Sequence, residues 1–212
     1  MIRALAVLRP EPGNAATAAR IESEGLRVVR LPLFAVTPVA WRAPDPAQYD
    51  GLLITSANAI RHGGPALEQL RDVPVFAVGD ATAAAARAAG FTVAAVGDGG
   101  VGAIAAQAGG RRLLHLAGRD RAGRESEAEV LIVYASDPVP VDPTPLLDSA
   151  ALVHSARAGK RLAEIAPDRS RIAIAAISRA AADAAGPGWR ALTVADSPSD
   201  SALIAAARRL AD

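Results

Sequence analysis

The residues best suited to chemistry stand directly after apolar runs. The segment LLITSANAIR (52–61) passes from an apolar run to Thr55, Ser56 and Asn58, and an Ala-rich helical pattern follows at once. Two interpretations remain open. Ser56 or Asn58 caps the helix, or hydroxyls and free helix N–H groups together form an anion site. The same arrangement returns at Ser155 in ALVHSARAGK, and this recurrence favours the anion site.

A second pair of apolar runs ends in further candidates. In VGDATA (78–83), Gly79 would let a ligand approach the backbone, and Thr82 lies in the first helical turn. An ordinary helix start explains this segment equally well. The corresponding later segment, ISRAA, carries Ser178 and Arg179 instead. Neither GxGxxG nor GxxxxGK[ST] occurs, so the chain has no nucleotide-binding fingerprint of these kinds.

Arginines and one tyrosine complete the candidate set. In LAGRDRAG (116–123), Gly118 would end a strand, and Arg119 and Arg121 would bind carboxylates bidentately. A solvated loop is the alternative for this segment. Tyr134 lies in an apolar run that leads to a proline-rich segment, where its phenol would either pack or hydrogen-bond a ligand.

Composition narrows the class of protein. The chain has 212 residues, and its 23 basic residues nearly cancel 22 acidic ones, so nucleic acid is not expected as a partner. Cysteine is absent, which excludes disulfides and thiolate chemistry. The three histidines lack metal-ligand spacing, and His115 and His154 are expected to be packed. No apolar run reaches the roughly 18 residues of a membrane helix, so we expect a cytoplasmic protein without membrane contact.

Alternating strands and helices must position these residues. Short apolar runs alternate with Ala-rich helical patterns, which is typical of parallel sheets covered on both faces. The expected elements include one strand over 27–36 and one helix over about 57–70. LLITSANAIR matches ALVHSARAGK at an offset of 99 residues, and 75–91 matches a later segment at an offset of 98. We therefore expect two similar α/β domains, joined by extended proline-rich linkers at 36–48 and 136–145.

Taken together, the motifs resemble the uroporphyrinogen-III synthase family. The resemblance rests on VLRP (7–10), DGLLITSANAIR (50–61), VFAVGDATA (75–83), LLHLAGR (113–119) and VY (133–134) before a proline-rich segment. The family fold implies that the chain starts in one domain, builds a second, and returns. The first domain would then hold 1–36 and 140–212, and the second 37–139.

The resemblance also implies an activity. Such an enzyme closes the linear tetrapyrrole hydroxymethylbilane into uroporphyrinogen III with inversion of ring D, in haem biosynthesis, as a monomer and without a cofactor. Tyr134 would assist departure of the hydroxyl group. The substrate-binding residues would be Arg9, Thr55, Ser56, Asn58, Gly79, Thr82, Gly118, Arg119, Ser155, Ser178 and Arg179. The alternatives are a non-catalytic tetrapyrrole- or small-ligand-binding relative and a protein that binds nucleotides or sugar phosphates.

Overall fold

The computed structural model of the protein describes residues 2–97, 100–120 and 128–211. The chain divides into two compact units. Unit 1 comprises Met1–Ala35 and Pro138–Asp212, and unit 2 comprises Val36–Asp137. The chain therefore leaves unit 1 once, builds unit 2 without interruption, and returns.

Strands and helices alternate along the described chain. The strands are β1 (Ala4–Val7), β2 (Val28–Arg30), β3 (Phe34–Pro38), β4 (Gly51–Ile54), β5 (Val75–Val78), β6 (Val93–Gly97), β7 (Leu113–Gly118), β8 (Glu129–Pro138), β9 (Ser149–Val153), β10 (Ala173–Ala176) and β11 (Ala191–Val194). The α-helices are α1 (Gly13–Ser23), α2 (Ala57–His62), α3 (Asp80–Ala88), α4 (Gly100–Gln107), α5 (Ala156–Ile165), α6 (Arg179–Ala185) and α7 (Asp200–Ala211). Short 3-10 helices cover Pro46–Gln48, Pro65–Leu70, Thr144–Leu146 and Arg169–Arg171. Within these described segments, no helix combines the length and apolar character that crossing a membrane requires.

Unit 1 is built on a five-stranded parallel sheet with the order β11-β10-β9-β1-β2. Its middle strands β9 and β10 are buried along their whole length. Successive side chains point to opposite faces. Leu152 packs with α1 and α7, whereas Val153 packs with α5 and α6. Because helices cover both faces, these strands are continuous apolar runs without polar alternation.

Unit 2 is built on a six-stranded sheet with the order β3-β8-β7-β4-β5-β6. The pairs from β8 to β6 run parallel. Leu52 and Ile54 pack with α2 and α3, whereas Leu53 packs with Ile104 of α4 on the other face. The sheet is therefore covered on both faces, as in unit 1.

The same strand–helix sequence occurs in both sheets. In unit 2, β4, β5 and β6 follow β7 across the sheet; in unit 1, β9, β10 and β11 follow β1 in the same order. These are the strands that the offsets of 98 and 99 residues relate. The predicted fold class, an α/β protein with two parallel-dominated sheets flanked by helices, is confirmed.

Two expected elements are wrong in detail. The single strand over 27–36 is two strands, because β2 ends at Arg30 in one sheet and β3 begins at Phe34 in the other. Pro32, which cannot donate to a sheet, lies between them. The single helix over 57–70 ends at His62, because Gly64 adopts φ 68° and ψ −165° before a 3-10 helix starts at Pro65.

Both connections between the units involve neighbouring strands. β3 and β8 lie side by side at the edge of the unit 2 sheet. The backbone N–H of Val39 donates to the carbonyl of Val133 at 3.1 Å, and that of Val139 donates to the carbonyl of Leu33 at 3.1 Å. The proline-rich linkers thus begin as hydrogen-bonded strands.

Candidate functional site

The candidate residues lie at the carboxyl ends of adjacent strands within each unit. In unit 2, Thr55 and Ser56 follow β4, Gly79 follows β5, and Gly118 ends β7. These three strands are neighbours, so the sheet brings their ends together. Ligands of parallel α/β sheets bind at such ends. Unit 1 places its own candidates in the same way: Arg9 after β1, Ser155 after β9, and Ser178 with Arg179 after β10.

Three of the candidate serines cap helices. Ser56 Oγ accepts a hydrogen bond from the backbone N–H of Asn58 at 3.2 Å. Ser155 Oγ accepts one from Ala158 at 3.1 Å, and Ser178 Oγ accepts one from Ala181 at 3.3 Å. The capping interpretation is therefore correct for Ser56, and Asn58 supplies the donor rather than the cap. A hydroxyl that accepts in this way still has its own O–H to donate.

Gly79 starts helix α3 without any side-chain cap. Its φ of 79° and ψ of 152° belong to a region that is essentially restricted to glycine. A side chain here would meet no atom within 4 Å, so backbone conformation, not crowding, requires the glycine. The Gly79 carbonyl accepts from Thr82 and Ala83 at 3.1 Å. Thr82 itself lies in the first turn of α3 and is only 5% exposed.

Tyr134 lies against the glycine that ends β7. A Cβ atom built on Gly118 would be 2.7 Å from Tyr134 Cζ and 2.9 Å from the phenol oxygen. The ring therefore occupies the space that a side chain at position 118 would need. The backbone N–H of Arg119 donates to the Tyr134 carbonyl at 2.9 Å, which fixes the two strands beside each other. The phenol consequently lies at the same carboxyl edge as the ends of β4 and β5.

The arginine candidates differ in their surroundings. Arg119 forms an exposed ion pair with Asp137 at 3.3 Å, and such surface pairs contribute little to stability. Arg179 is exposed at the start of α6. Arg121 lies outside the described residues. Arg9 Nη1 is 3.5 Å from the carboxylate of Asp200, so it already has an anionic partner within the protein.

A packed histidine lies near the strand ends of each unit, as expected; His115 is buried and His154 is partly buried. In unit 2, His115 of β7 is 6% exposed, and its Nε2 lies 3.2 Å from Thr55 Oγ1. In unit 1, the His154 side chain is 9% exposed, and its Nε2 lies 2.9 Å from Asp200 Oδ1. Neither contact was predictable from the sequence, because the partners are 60 and 46 residues apart in the chain.

Asp200 is the centre of a charged cluster in unit 1. Besides His154, it accepts from Thr17 Oγ1 at 2.9 Å and from Arg20 Nη1 at 2.7 Å. Burial raises the pKa of Asp200, but hydrogen bonds from His154 and Thr17 and the charges of His154 and Arg9 outweigh it, and the pKa falls to about 2. The carboxylate therefore stays ionised and links α1, β9 and α7.

Among residues 2–97, 100–120 and 128–211, no group of three or more His, Asp or Glu side chains could hold a metal ion.

The arrangement can do limited but specific chemistry. It offers uncapped or hydroxyl-capped helix N-termini, which favour anions, and one phenol at a strand end. A phenol can donate a hydrogen bond or a proton to a departing group.

Comparisons with known proteins agree on one family. The model of the uroporphyrinogen-III synthase HemD family matches residues 15–205. The crystal structure of uroporphyrinogen-III synthetase from Helicobacter pylori has a TM-score of 0.71 at 16% identity, covering 99% of this chain and 100% of that chain. A mutant uroporphyrinogen III synthase from Thermus thermophilus has a TM-score of 0.54 at 21% identity, covering 98% and 99%. At these identities the two structures establish a shared fold. None of the curated proteins compared with the chain matches it.

Proposed function

The chain belongs to the uroporphyrinogen-III synthase family, and we propose that the ends of its strands bind hydroxymethylbilane and close it to uroporphyrinogen III. Family membership makes it a cyclising lyase of tetrapyrrole biosynthesis, the route to haem. The observation that carries the site assignment is the phenol of Tyr134 over Gly118, beside the ends of β4 and β5.

The substrate supplies most of the reactivity. Its hydroxyl leaves as water, and the resulting azafulvene cation is attacked at the substituted position of ring D. The spiro intermediate then opens and closes again with ring D inverted. Without a protein the bilane closes to the uninverted isomer I. The protein's task is therefore to hold the two ends at attack distance and to favour the spiro route.

We assign Tyr134 to the first step. Its phenol would donate a hydrogen bond or a proton to the hydroxyl as the carbon–oxygen bond breaks, so that water departs instead of hydroxide. Partial burial against the unit 2 core would hold the ring in one place. Gly118 would contribute by leaving room for it.

The remaining strand-end residues would bind the substrate's eight carboxylates. In unit 2, the α3 N-terminus at Gly79 and the hydroxyls of Thr55 and Ser56 would supply donors. In unit 1, Ser155, Ser178 and the exposed Arg179 would do the same. We further propose that the protein acts as a cytoplasmic monomer, which light scattering on the purified protein would test.

An isomer assay tests the proposal. Fresh hydroxymethylbilane is incubated with the purified protein, the product is oxidised, and isomers I and III are separated by chromatography. We expect isomer III well above the control without protein. Isomer I alone from folded protein would contradict the activity and would leave a tetrapyrrole-binding relative as the remaining interpretation.

A further inference from the structure

Arg9, which follows β1, is held at one corner of its guanidinium group. Nη1 lies 3.5 Å from Asp200 Oδ1 and 3.5 Å from the hydroxyl of Thr17. Nε and Nη2 have no partner among the described residues, and neither nitrogen is buried. The side chain is 37% exposed, so this second edge of the guanidinium can be reached from solvent. Two neighbouring N–H groups of this kind bind a carboxylate through parallel hydrogen bonds.

The flat side of the guanidinium lies against the first turn of helix α1. A Cβ atom built on Gly13 would lie close to Arg9 Nε, at 2.7 Å from Cζ and at 2.9 Å from Nη2. An atom in front of the two N–H groups would be farther from Cζ than from either nitrogen. Gly13 therefore leaves room for the guanidinium and does not cover the edge that carries Nε and Nη2.

Asp200, the partner of Nη1, is itself fixed from two elements. Thr17 and Arg20 of α1 donate to its carboxylate at 2.9 Å and 2.7 Å, and His154 Nε2 at the end of β9 lies 2.9 Å from it. The Asp200 side chain is 13% exposed. The carboxylate is therefore a fixed point against which the guanidinium of Arg9 is held.

The backbone of Arg9 is fixed as well. The buried amide of Asn14 donates to the carbonyl of Val7 at 2.8 Å and to that of Arg9 at 3.0 Å. With its backbone and Nη1 both held, the side chain is ordered before any ligand arrives. Such a side chain loses less conformational entropy on binding than a freely rotating one.

We propose that Asp200 is a positioning residue, which holds Arg9 so that Nε and Nη2 bind one carboxylate of the tetrapyrrole, an inference that rests on the proposed function. The neighbouring strand β9 is followed by Ser155, which the proposed function already assigns to carboxylate binding. The carboxylates of the substrate do not change in the reaction, so this contact would hold substrate and transition state alike. Its loss should raise KM and leave kcat unchanged.

Two variants test the geometry of Arg9. Arg9→Gln removes the two donors and should raise KM about tenfold at unchanged kcat. Gly13→Ala keeps the charge but places a Cβ atom where the guanidinium lies, so it should also raise KM. Alanine forms helices better than glycine, so this second variant should keep its stability. A wild-type KM in Gly13→Ala, with folding checked by circular dichroism, would contradict the arrangement.

A double-mutant cycle shows whether Asp200 acts through Arg9. Asp200→Asn alone should raise KM about fivefold, whereas in the Arg9→Gln background it should change KM less than about twofold. A purely structural role of Asp200 would affect both backgrounds equally. Equal effects would therefore overturn its assignment as a positioning residue.

Two further variants separate this binding geometry from charge alone. Arg20→Gln removes the same charge from the same carboxylate, but Arg20 is 60% exposed along α1, and KM should stay unchanged. Arg9→Lys should recover only a minor part of the loss, because an ammonium group lacks the planar pair of donors. A raised KM in Arg20→Gln equal to that in Arg9→Gln, or full recovery by lysine, would show that charge alone acts here and would overturn the proposal.

Equilibrium binding separates this inference from the proposed function. The probe is uroporphyrin III, the oxidised macrocycle with the same eight carboxylates, and fluorescence titration at constant ionic strength gives its Kd. We expect Arg9→Gln to raise this Kd about tenfold. Isomer III from the wild type, with unaltered Kd and KM in Arg9→Gln, would refute the role of Arg9 and Asp200 alone. Isomer I from the wild type would refute the proposed function.

Discussion

Equivalent strands of the two units are followed by residues of different chemical type. Thr55 after β4 and His154 after β9 are related by the offset of 99 residues. Thr55 contacts His115, whereas His154 contacts Asp200 in a cluster that includes two arginines. The end of β9 in unit 1 is thus held by charged groups, while a hydroxyl–imidazole contact is present at the end of β4 in unit 2.

The next strand end shows a second difference. After β5 the chain turns through Gly79 at φ 79°, and no side chain caps α3. After β10 it passes through Ser178 at φ −157°, and the hydroxyl caps α6. The same junction is therefore closed by a hydroxyl cap in unit 1, whereas in unit 2 it turns through a glycine without a side-chain cap.

Glycine-to-alanine substitutions should give the largest difference between the two units. Gly118→Ala in unit 2 places a Cβ atom 2.7 Å from the Tyr134 ring and should displace the phenol, lowering kcat about 100-fold through loss of its proton donation. Gly159→Ala in unit 1 places a Cβ atom 2.5 Å from the Ala181 carbonyl, where α5 and α6 pack. It should instead cost about 1–3 kcal/mol of unfolding free energy.

Steady-state kinetics and urea unfolding of both variants distinguish these outcomes. Lost stability without lost kcat for Gly118→Ala would show that the glycine serves packing alone.

Acid unfolding should show how much the charged cluster around Asp200 contributes to the stability of the protein. The folded pKa of Asp200, about 2, lies below its unfolded value of 3.8, so the carboxylate stabilises the folded state above about pH 4. That contribution, about 2 kcal/mol, is lost as the pH falls from 4 to 2. Urea unfolding across this range should show a smaller decline for Asp200→Asn than for the wild type.

Thr55→Val is the control in unit 2, because it removes a hydrogen bond without a carboxylate. It should leave the slope between pH 4 and 2 unchanged. An unaltered slope in Asp200→Asn would mean that this carboxylate does not govern acid stability.

The two helix starts should respond to alanine by different amounts. Gly79→Ala forces a side chain into a glycine-only conformation, at about 1–3 kcal/mol of unfolding free energy. Ser178→Ala removes a helix cap, at about 1 kcal/mol. Thermal or urea unfolding measures both, and a larger loss at Ser178 than at Gly79 would contradict this account of the two junctions.

Local sequence patterns predicted much of the fold but few of the contacts around the candidate site residues. Continuous apolar runs indicated parallel covered sheets, and Ser56 and Ser155 were recognisable as helix starts because capping is local. The contact between His154 and Asp200 was not predictable, because it depends on α7 docking against β9.

The end of helix α2 at His62 could have been predicted from the sequence, since Gly63, Gly64 and Pro65 are consecutive. The helical patterns on both sides of this segment favoured a single helix instead.

We propose that the phenol of Tyr134 promotes loss of the substrate hydroxyl at the strand ends of unit 2. The most direct measurement is the initial rate of isomer III formation by Tyr134→Phe, beside the wild type and with folding checked by circular dichroism. We expect a folded variant whose rate falls about 100-fold, because only the phenol donor is removed. A folded variant with the wild-type rate would contradict it.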